Sequence, residues 1–278
     1  MKIRELLDWS SKSLVRSSSP DIDAWVLLKF VLQADDSWLI SNEHAPVGSQ
    51  DEARIRELIE LRKRGVPVAY LTNSRQFWSK DLYVDSRVLV PRPETETLVE
   101  TVLRIARSFR SPDILELGTG SGAIAVALSS KMPHAKMTAT DLSQEVLAVA
   151  KINLQRHDCT NVNLEKADWF SGLEGRRFDL ICSNPPYVGR NDPHLEVPEL
   201  QHEPQSALVA GKDGLDAIRQ IVSAASGYLQ SKGWLILEHA YDQAGDIRAM
   251  MNNAGFVDVH SEKDLSGHDR VSLGRKSE

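Results

Sequence analysis

Strand-like and helix-like segments alternate along the second half of this chain, and that alternation limits its fold more than any other feature. Residues 113–117 (Asp-Ile-Leu-Glu-Leu) form a short apolar run of strand length, and residues 123–130 then take a helical pattern. Residues 136–140 read as a second strand ending at Asp141, and residues 143–156 as a helix with Ser143 as its N-cap. Three more strands follow at 162–165, 178–183 and 233–238, with helices at 213–225 and 242–254. Residues 256–260 and 270–273 form a closing antiparallel pair. Alternation on this scale requires crossover connections that put helices on both faces of the sheet. The expected fold is α/β: a doubly wound, mostly parallel, seven-stranded sheet.

The first half has a different period. Residues 1–65 read as helices. Ser19-Pro20-Asp21 starts one, and Ser49-Gln50-Asp51-Glu52 matches a capping box that opens another. That second helix closes with Arg62-Lys63-Arg64, a cluster expected to be a solvated helix end, and Gly65 terminates it. Two short strands, around Gln76-Phe77-Trp78 and residues 81–85, read as a β-hairpin linker. The expected organisation is a helical N-terminal domain over 1–70, a hairpin linker over 71–90 and an α/β domain over 91–278.

Two loops fall at the carboxyl ends of predicted strands, where open α/β sheets bind ligands. The first is Glu116-Leu117-Gly118-Thr119-Gly120-Ser121-Gly122, whose glycines allow a sharp turn and close approach of the backbone to a ligand. Asp141 follows at the end of the next strand, positioned for ribose hydroxyls. The glycines alone would admit a nicotinamide cofactor. Glu116 is a poor neighbour for a pyrophosphate, however, and the third glycine comes one residue too early for the dinucleotide pattern. A ribose-bearing cation without phosphates suits the loop better, and S-adenosylmethionine is such a molecule. Asp168-Trp169-Phe170, after the third strand, offers an acid and an aromatic to bracket adenine, Trp169 otherwise being a filler at the sheet edge.

The second loop is Asn184-Pro185-Pro186-Tyr187. Asn184 brings a side-chain acceptor, two prolines remove donors and stiffen the chain, and Tyr187 offers a flat face. Together they make a clamp for a planar NH2 group on an sp2 carbon, either an amide or the exocyclic amine of a base. No carboxylate or histidine in the motif is placed to deprotonate such a nitrogen, so positioning and electrostatics must do the work. Glu203 and Asp213, further along, read as channel-shaping or helix-capping residues.

With both loops in view, the chain resembles the class I S-adenosylmethionine-dependent methyltransferases. More closely, it is similar to the protein N5-glutamine methyltransferases that act on peptide chain release factors. The likeness covers nearly the whole chain and rests on Val88-Leu89-Val90-Pro91-Arg92-Pro93-Glu94-Thr95-Glu96, residues 116–122, Asp141, residues 168–170 and 184–187, Glu203-Pro204, Asp213-Gly214-Leu215 and Glu238-His239. It implies that Asn184, Pro185, Pro186 and Tyr187 are catalytic. It also implies that Gly118, Thr119, Gly120, Ser121, Gly122, Asp141, Trp169 and Asn184 bind S-adenosylmethionine, with S-adenosylhomocysteine as product and no metal. The implied substrate is the glutamine of the Gly-Gly-Gln motif of class 1 release factors, with the helical domain helping to hold that partner. Two positions depart from the family pattern: Asn73 and Ala240 stand where relatives usually or often carry glycine.

Composition bears on the rivals. The net charge is −6, and residues 1–90 balance to zero, so the whole deficit lies on the α/β part. An adenine-N6 nucleic-acid methyltransferase would use the same clamp but calls for a basic, aromatic-bearing surface. The related ribosomal-protein glutamine methyltransferases usually differ after Pro-Arg, and a non-catalytic adaptor would not need an intact loop and clamp. Cys159 and Cys182 form no disulfide framework, and neither a signal peptide nor a membrane span is evident. A cytoplasmic location is expected.

Overall fold

The computed structural model describes residues 1–278, which divide into two compact units. One comprises residues 1–74 with 193–202, the other residues 75–192 with 203–278.

The first unit is helical: α1 (Ile3–Ser13), α2 (Pro20–Leu32), α3 (Asp36–Ser41), α4 (Ser49–Lys63) and α5 (Val68–Thr72). Leu6, Leu27, Leu28, Leu58 and Ile59 form its core at helical spacing. The structure corrects the start of α4. Gly48 is the N-cap, Ser49 is already helical and its side chain caps nothing. Glu52 cannot complete a capping box because its carboxylate binds the Met1 ammonium and Arg56. The end of α4 is also corrected. Arg62 is buried rather than solvated, bonding Asp23 at 2.7 Å and pairing with Glu199 of the 193–202 segment. The sequence pattern could not distinguish Arg62 from its exposed neighbour Lys63, because Glu199 lies 137 residues away. Asn73 caps α5 in the left-handed region (φ 50°, ψ 35°), which asparagine tolerates well enough to stand in for glycine.

The second unit opens with a hairpin, β1 (Arg75–Phe77) and β2 (Lys80–Leu82). Its two-residue turn, Trp78-Ser79, has φ of 51° and 56°, the type I′ signature built here without glycine. Helix α6 (Glu96–Ala106) follows a 3-10 turn over Pro93–Thr95. The sheet then runs β3 (Asp113–Leu117), α7 (Ala123–Lys131), β4 (Lys136–Asp141), α8 (Gln144–Arg156), β5 (Val162–Lys166) and β6 (Phe178–Ser183). It continues with α9 (Asp216–Ala225), β7 (Leu229–Glu238), α10 (Ala244–Asn253), β8 (Phe256–Lys263) and β9 (Asp269–Lys276). Strand order is β5-β4-β3-β6-β7-β9-β8, parallel except for the pairings of β9. The seven-stranded doubly wound sheet is as the alternation required, and Ser143 caps α8 through bonds from the Glu145 and Val146 amides. Buried side chains cover both faces of the sheet, with α6 and α7 on one side and α9 and α10 on the other.

Chain order reverses between β3 and β6: from β3 the chain moves outward through β4 and β5, then returns to lay β6 on the opposite side. This is the topological switch point, the crevice where doubly wound sheets bind ligands.

The Arg62 ion pairs make a stability prediction. Arg62→Ala leaves Asp23 buried without its cation, which costs about 3 kcal/mol, at the low end for a broken buried pair because the Ser17 and Ser19 hydroxyls still bond Asp23. Urea unfolding of the full chain measures this. Lys63→Ala, at an exposed site, is the control and should change stability by less than about 0.5 kcal/mol.

Candidate active site

Register brings the two sequence motifs together. Leu117 of β3 pairs with Ser183 of β6, so Gly118 and Asn184 leave adjacent strands side by side. The Ser183 hydroxyl donates to the Leu117 carbonyl at 2.7 Å and ties the two strand ends.

The glycine loop is tied to the end of β4 by hydrogen bonds. The Thr119 amide donates to the Thr140 carbonyl at 2.8 Å, and the Gly120 amide to Asp141 Oδ2 at 3.1 Å. Asp141 Oδ1 accepts from the Ser143 amide at 3.2 Å. Burial raises the Asp141 pKa, and the Ser143 and Gly120 amides act against that shift. Gly122 serves packing: at φ 80°, an added Cβ would sit 3.3 Å from Ala150 of α8, so glycine lets α7 and α8 approach.

These residues border a cavity of about 260 Å³. Gly118, Thr119, Gly120, Ser121, Asp141 and Trp169 all line it, and Gly122 lies behind it. Trp169 holds a left-handed φ of 49°, and its ring edge comes within 3.8 Å of where a Cβ on Gly118 would lie. Leu142, Val146, Ile124 and Ala167 supply apolar walls that sequence reasoning did not single out. The cavity suits a nucleoside with a cationic substituent. It offers a carboxylate, backbone amides and a flat ring, and its two arginines are already paired, Arg87 with Asp85 and Arg92 with Glu203. A pyrophosphate would find no unpaired cation there.

Asn184 and Pro186 of the second motif line the same cavity, whereas Pro185 and Tyr187 are outside its lining. Asn184 Nδ2 donates to Thr95 Oγ1 at 3.1 Å, which leaves Oδ1 as the free end of the amide. The Tyr187 hydroxyl donates to Glu238 Oε1 at 3.3 Å, and the ring packs into the second core. Burial keeps this phenol protonated by pushing its pKa well up. The Tyr187 carbonyl accepts from Gln243 Nε2 at 3.0 Å and touches Gly214, where an added Cβ would fall 2.1 Å from that oxygen. Gly214, at φ 78°, is therefore needed for the backbone course of the clamp.

Glu203 and Asp213 have separate tasks. Glu203 is buried and accepts from the Val90 amide and the Arg92 guanidinium, so it pins the Pro-Arg-Pro segment beside the cavity. Asp213 accepts from the Leu215 amide and pairs with Arg219, but Leu215 is the N-cap of α9 and no side chain caps that helix, so Asp213 orders the turn ahead of α9 rather than capping it. Thr95, Glu238 and Gln243 support the clamp and were missed as such. Their partners lie 51 to 89 residues away in sequence, beyond any local pattern.

The fold and site define a class I S-adenosylmethionine-dependent methyltransferase. A family model described as the methyltransferase small domain matches residues 93–211, and one described as the PrmC N-terminal domain matches residues 5–72. A relative from Xylella fastidiosa named release factor glutamine methyltransferase is 43% identical over 91% of this chain and 92% of its own. One of the same name from Pseudomonas aeruginosa is 44% identical over 93% and 94%. The solved structure of a methyltransferase from Pyrococcus furiosus shares the fold, with a TM-score of 0.53 and 21% identity over 83% of this chain and all of that one. The chain belongs to the release factor glutamine methyltransferase family. No helix is long and apolar enough to cross a membrane.

Glu116, beneath the glycine loop, yields a pH prediction. It is fully buried and neither carboxylate oxygen has a hydrogen-bond partner. Desolvation raises its pKa to about 8, with Asp141 adding to the rise and the nearby Thr119 hydroxyl and Ala125 amide opposing it. The folded state thus binds this proton more tightly than the unfolded chain. The associated stability is present below the ordinary carboxylate range and is lost as pH rises toward 8. Glu116→Gln removes that loss, so the variant gains on wild type between pH 5 and 8 by up to about 1.4 kcal/mol per pH unit. Denaturant titrations at three pH values test this, and a gap that stays constant would contradict it.

Proposed function

We propose that this enzyme methylates the side-chain amide nitrogen of the glutamine in the Gly-Gly-Gln motif of class 1 release factors, in the cytoplasm. The observation that carries the reading is the Asn184 amide, whose Nδ2 is spent on Thr95 while Oδ1 is left at the cavity beside the glycine loop. An acceptor there suits an incoming NH2 group. Family membership favours a protein amide over a base, and the −6 net charge is unsuited to a polyanionic substrate.

When bound, S-adenosylmethionine would supply an electrophilic methyl group, the S–C bond breaking as the N–C bond forms, with S-adenosylhomocysteine as the leaving product. Gly118, Thr119, Gly120, Ser121, Asp141 and Trp169 would hold the nucleoside. Asn184 Oδ1 would accept an N–H bond of the glutamine amide, orient its nitrogen and favour the positive charge that develops on it, while Pro185, buried behind the lining, stiffens the loop that presents it. Tyr187, outside the cavity lining, anchors the end of the clamp through its hydroxyl on Glu238 and its ring in the core. The proton leaves for solvent after transfer, when the nitrogen has become acidic, so no strong base is needed. The helical unit holds the release factor.

Mass spectrometry of purified release factor after incubation with enzyme and cofactor tests the substrate: one methyl group is expected on the Gln of Gly-Gly-Gln. Methylation of RNA or DNA instead would overturn the reading. Asn184→Ala should lower turnover by more than about 100-fold while calorimetric affinity for the cofactor stays within about threefold. Normal turnover by that variant would remove the clamp from the mechanism.

A further inference from the structure

The far end of the clamp is fastened by a side chain outside the cavity. Gln243 is the N-cap residue of α10, a place where short polar side chains normally cap, yet it caps nothing. Its side chain is turned back and buried. Oε1 accepts from the Ala240 amide at 3.0 Å, and the Gln243 amide donates to the Ala240 carbonyl at 3.0 Å, so the turn after β7 closes on itself and fixes the side chain. Nε2 then donates to two carbonyls, Tyr187 at 3.0 Å and, more distantly, Asp213 at 3.4 Å. One amide thus joins the last residue of the clamp, the turn ahead of α9 and the turn ahead of α10. Gly214 shows how closely these segments meet: a Cβ added there would fall 2.1 Å from the Tyr187 carbonyl oxygen and 2.9 Å from Gln243 Nε2.

This matters because the clamp is short and stiff. Pro185 and Pro186 have fixed φ, so the stretch between Asn184 and Tyr187 has little freedom of its own and its course is set by its two ends. The near end leaves β6 at Ser183, which is tied to Leu117. The far end is Tyr187, whose hydroxyl meets Glu238 at 3.3 Å and whose carbonyl meets Gln243 at 3.0 Å. The hydroxyl contact lies at the tip of a side chain, whereas the carbonyl contact holds the main chain itself. Releasing that carbonyl would let Pro185-Pro186 pivot about Ser183. Asn184 and Pro186, which line the cavity, would move with them.

We propose that Gln243 is a positioning residue for methyl transfer: its NH2 group holds the Tyr187 carbonyl and thereby sets where Asn184 presents its acceptor. The inference rests on reading Asn184–Tyr187 as the clamp that receives the substrate amide. The residue type follows from the contacts. A glutamine amide offers an acceptor to the Ala240 amide and two N–H donors to the facing carbonyls at once. Glutamate at this position would keep the acceptor but set an oxygen against two carbonyl oxygens. Methionine would fill a similar space and offer no donor.

The test uses the full-length enzyme with purified release factor and labelled cofactor, at a temperature where circular dichroism shows each variant folded. Gln243→Met and Gln243→Glu should each lower kcat by about 10- to 100-fold, as expected for a reacting group displaced by about 1 Å. KM for the release factor and calorimetric affinity for S-adenosylmethionine should stay within about threefold, because Gln243 is outside the cavity lining. Gln243→Glu is the discriminating variant. It keeps the contact to Ala240, so a role in closing that turn alone predicts wild-type kcat. Gly214→Ala presses on the same carbonyl from the other side and should lower kcat similarly. The double variant Gly214→Ala/Gln243→Met should be no slower than the slower single variant by more than about threefold, since both disturb one bond. If Gln243→Glu does not fold, this pair carries the decision. Wild-type kcat in Gln243→Glu or Gln243→Met would overturn the proposal. So would losses that multiply in the double variant, or a kcat loss matched by an equal loss of cofactor affinity, which would indicate general damage. Asn184→Ala run in parallel separates the two ideas. If it turns over normally, the clamp itself has failed. If it is inactive while Gln243→Glu and Gln243→Met are normal, only the positioning role has failed.

Discussion

The parallel pairing of β3 with β6, closed by the Ser183 hydroxyl on the Leu117 carbonyl, is the contact on which the site depends. It sits where the sheet reverses direction, so two loops made by distant stretches of chain emerge side by side. A one-residue slip in this register would swap the faces of β6 and carry Asn184 away from the glycine loop. The register is protected by burial: Leu115, Leu117, Leu180 and Ile181 are all inaccessible, and shifting any of them would expose apolar surface or bury a polar group. The positions of the cofactor loop and of the clamp are therefore consequences of core packing.

The same crowding explains the two buried acids. Glu116 and Glu238 sit near the carboxyl ends of β3 and β7, one under the glycine loop and one under the clamp. Desolvation raises both, to about 8 and about 7. The order follows from their neighbours. Asp141 repels a charge on Glu116, whereas Arg270 and two hydroxyls support a charge on Glu238. A group held near neutrality by opposing forces responds strongly to small changes around it, and such groups gather where chemistry is done.

What the sequence made legible was local. The strand into the glycine loop, the strand into the clamp, Ser143 as a cap and the parallel order each depend on residues within a few positions of one another. What stayed hidden was non-local. Ser49-Gln50-Asp51-Glu52 matched a capping box, but Glu52 went to Met1 and Arg56, a competition no local pattern reveals. Arg62 looked like a helix-end cation until Asp23 and Glu199 buried it. The resemblance drew attention to Glu203 and Glu238 without assigning their work, because Val90, Arg92 and Tyr187 meet them only in the folded sheet.

An amide that must bind another amide poses a particular problem of selection. The two ends of an asparagine side chain are nearly equal in size, so packing alone cannot choose between them. The choice must come from hydrogen bonding, and the wrong choice sets two NH2 groups facing each other, each a donor deprived of an acceptor. Leaving such groups unpaired in a partly buried site costs about 1–3 kcal/mol per group, enough to govern productive binding. In this structure Asn184 makes the choice by donating Nδ2 to Thr95 Oγ1 from the turn before α6, a contact between residues 89 positions apart that leaves Oδ1 to accept from an incoming NH2 group.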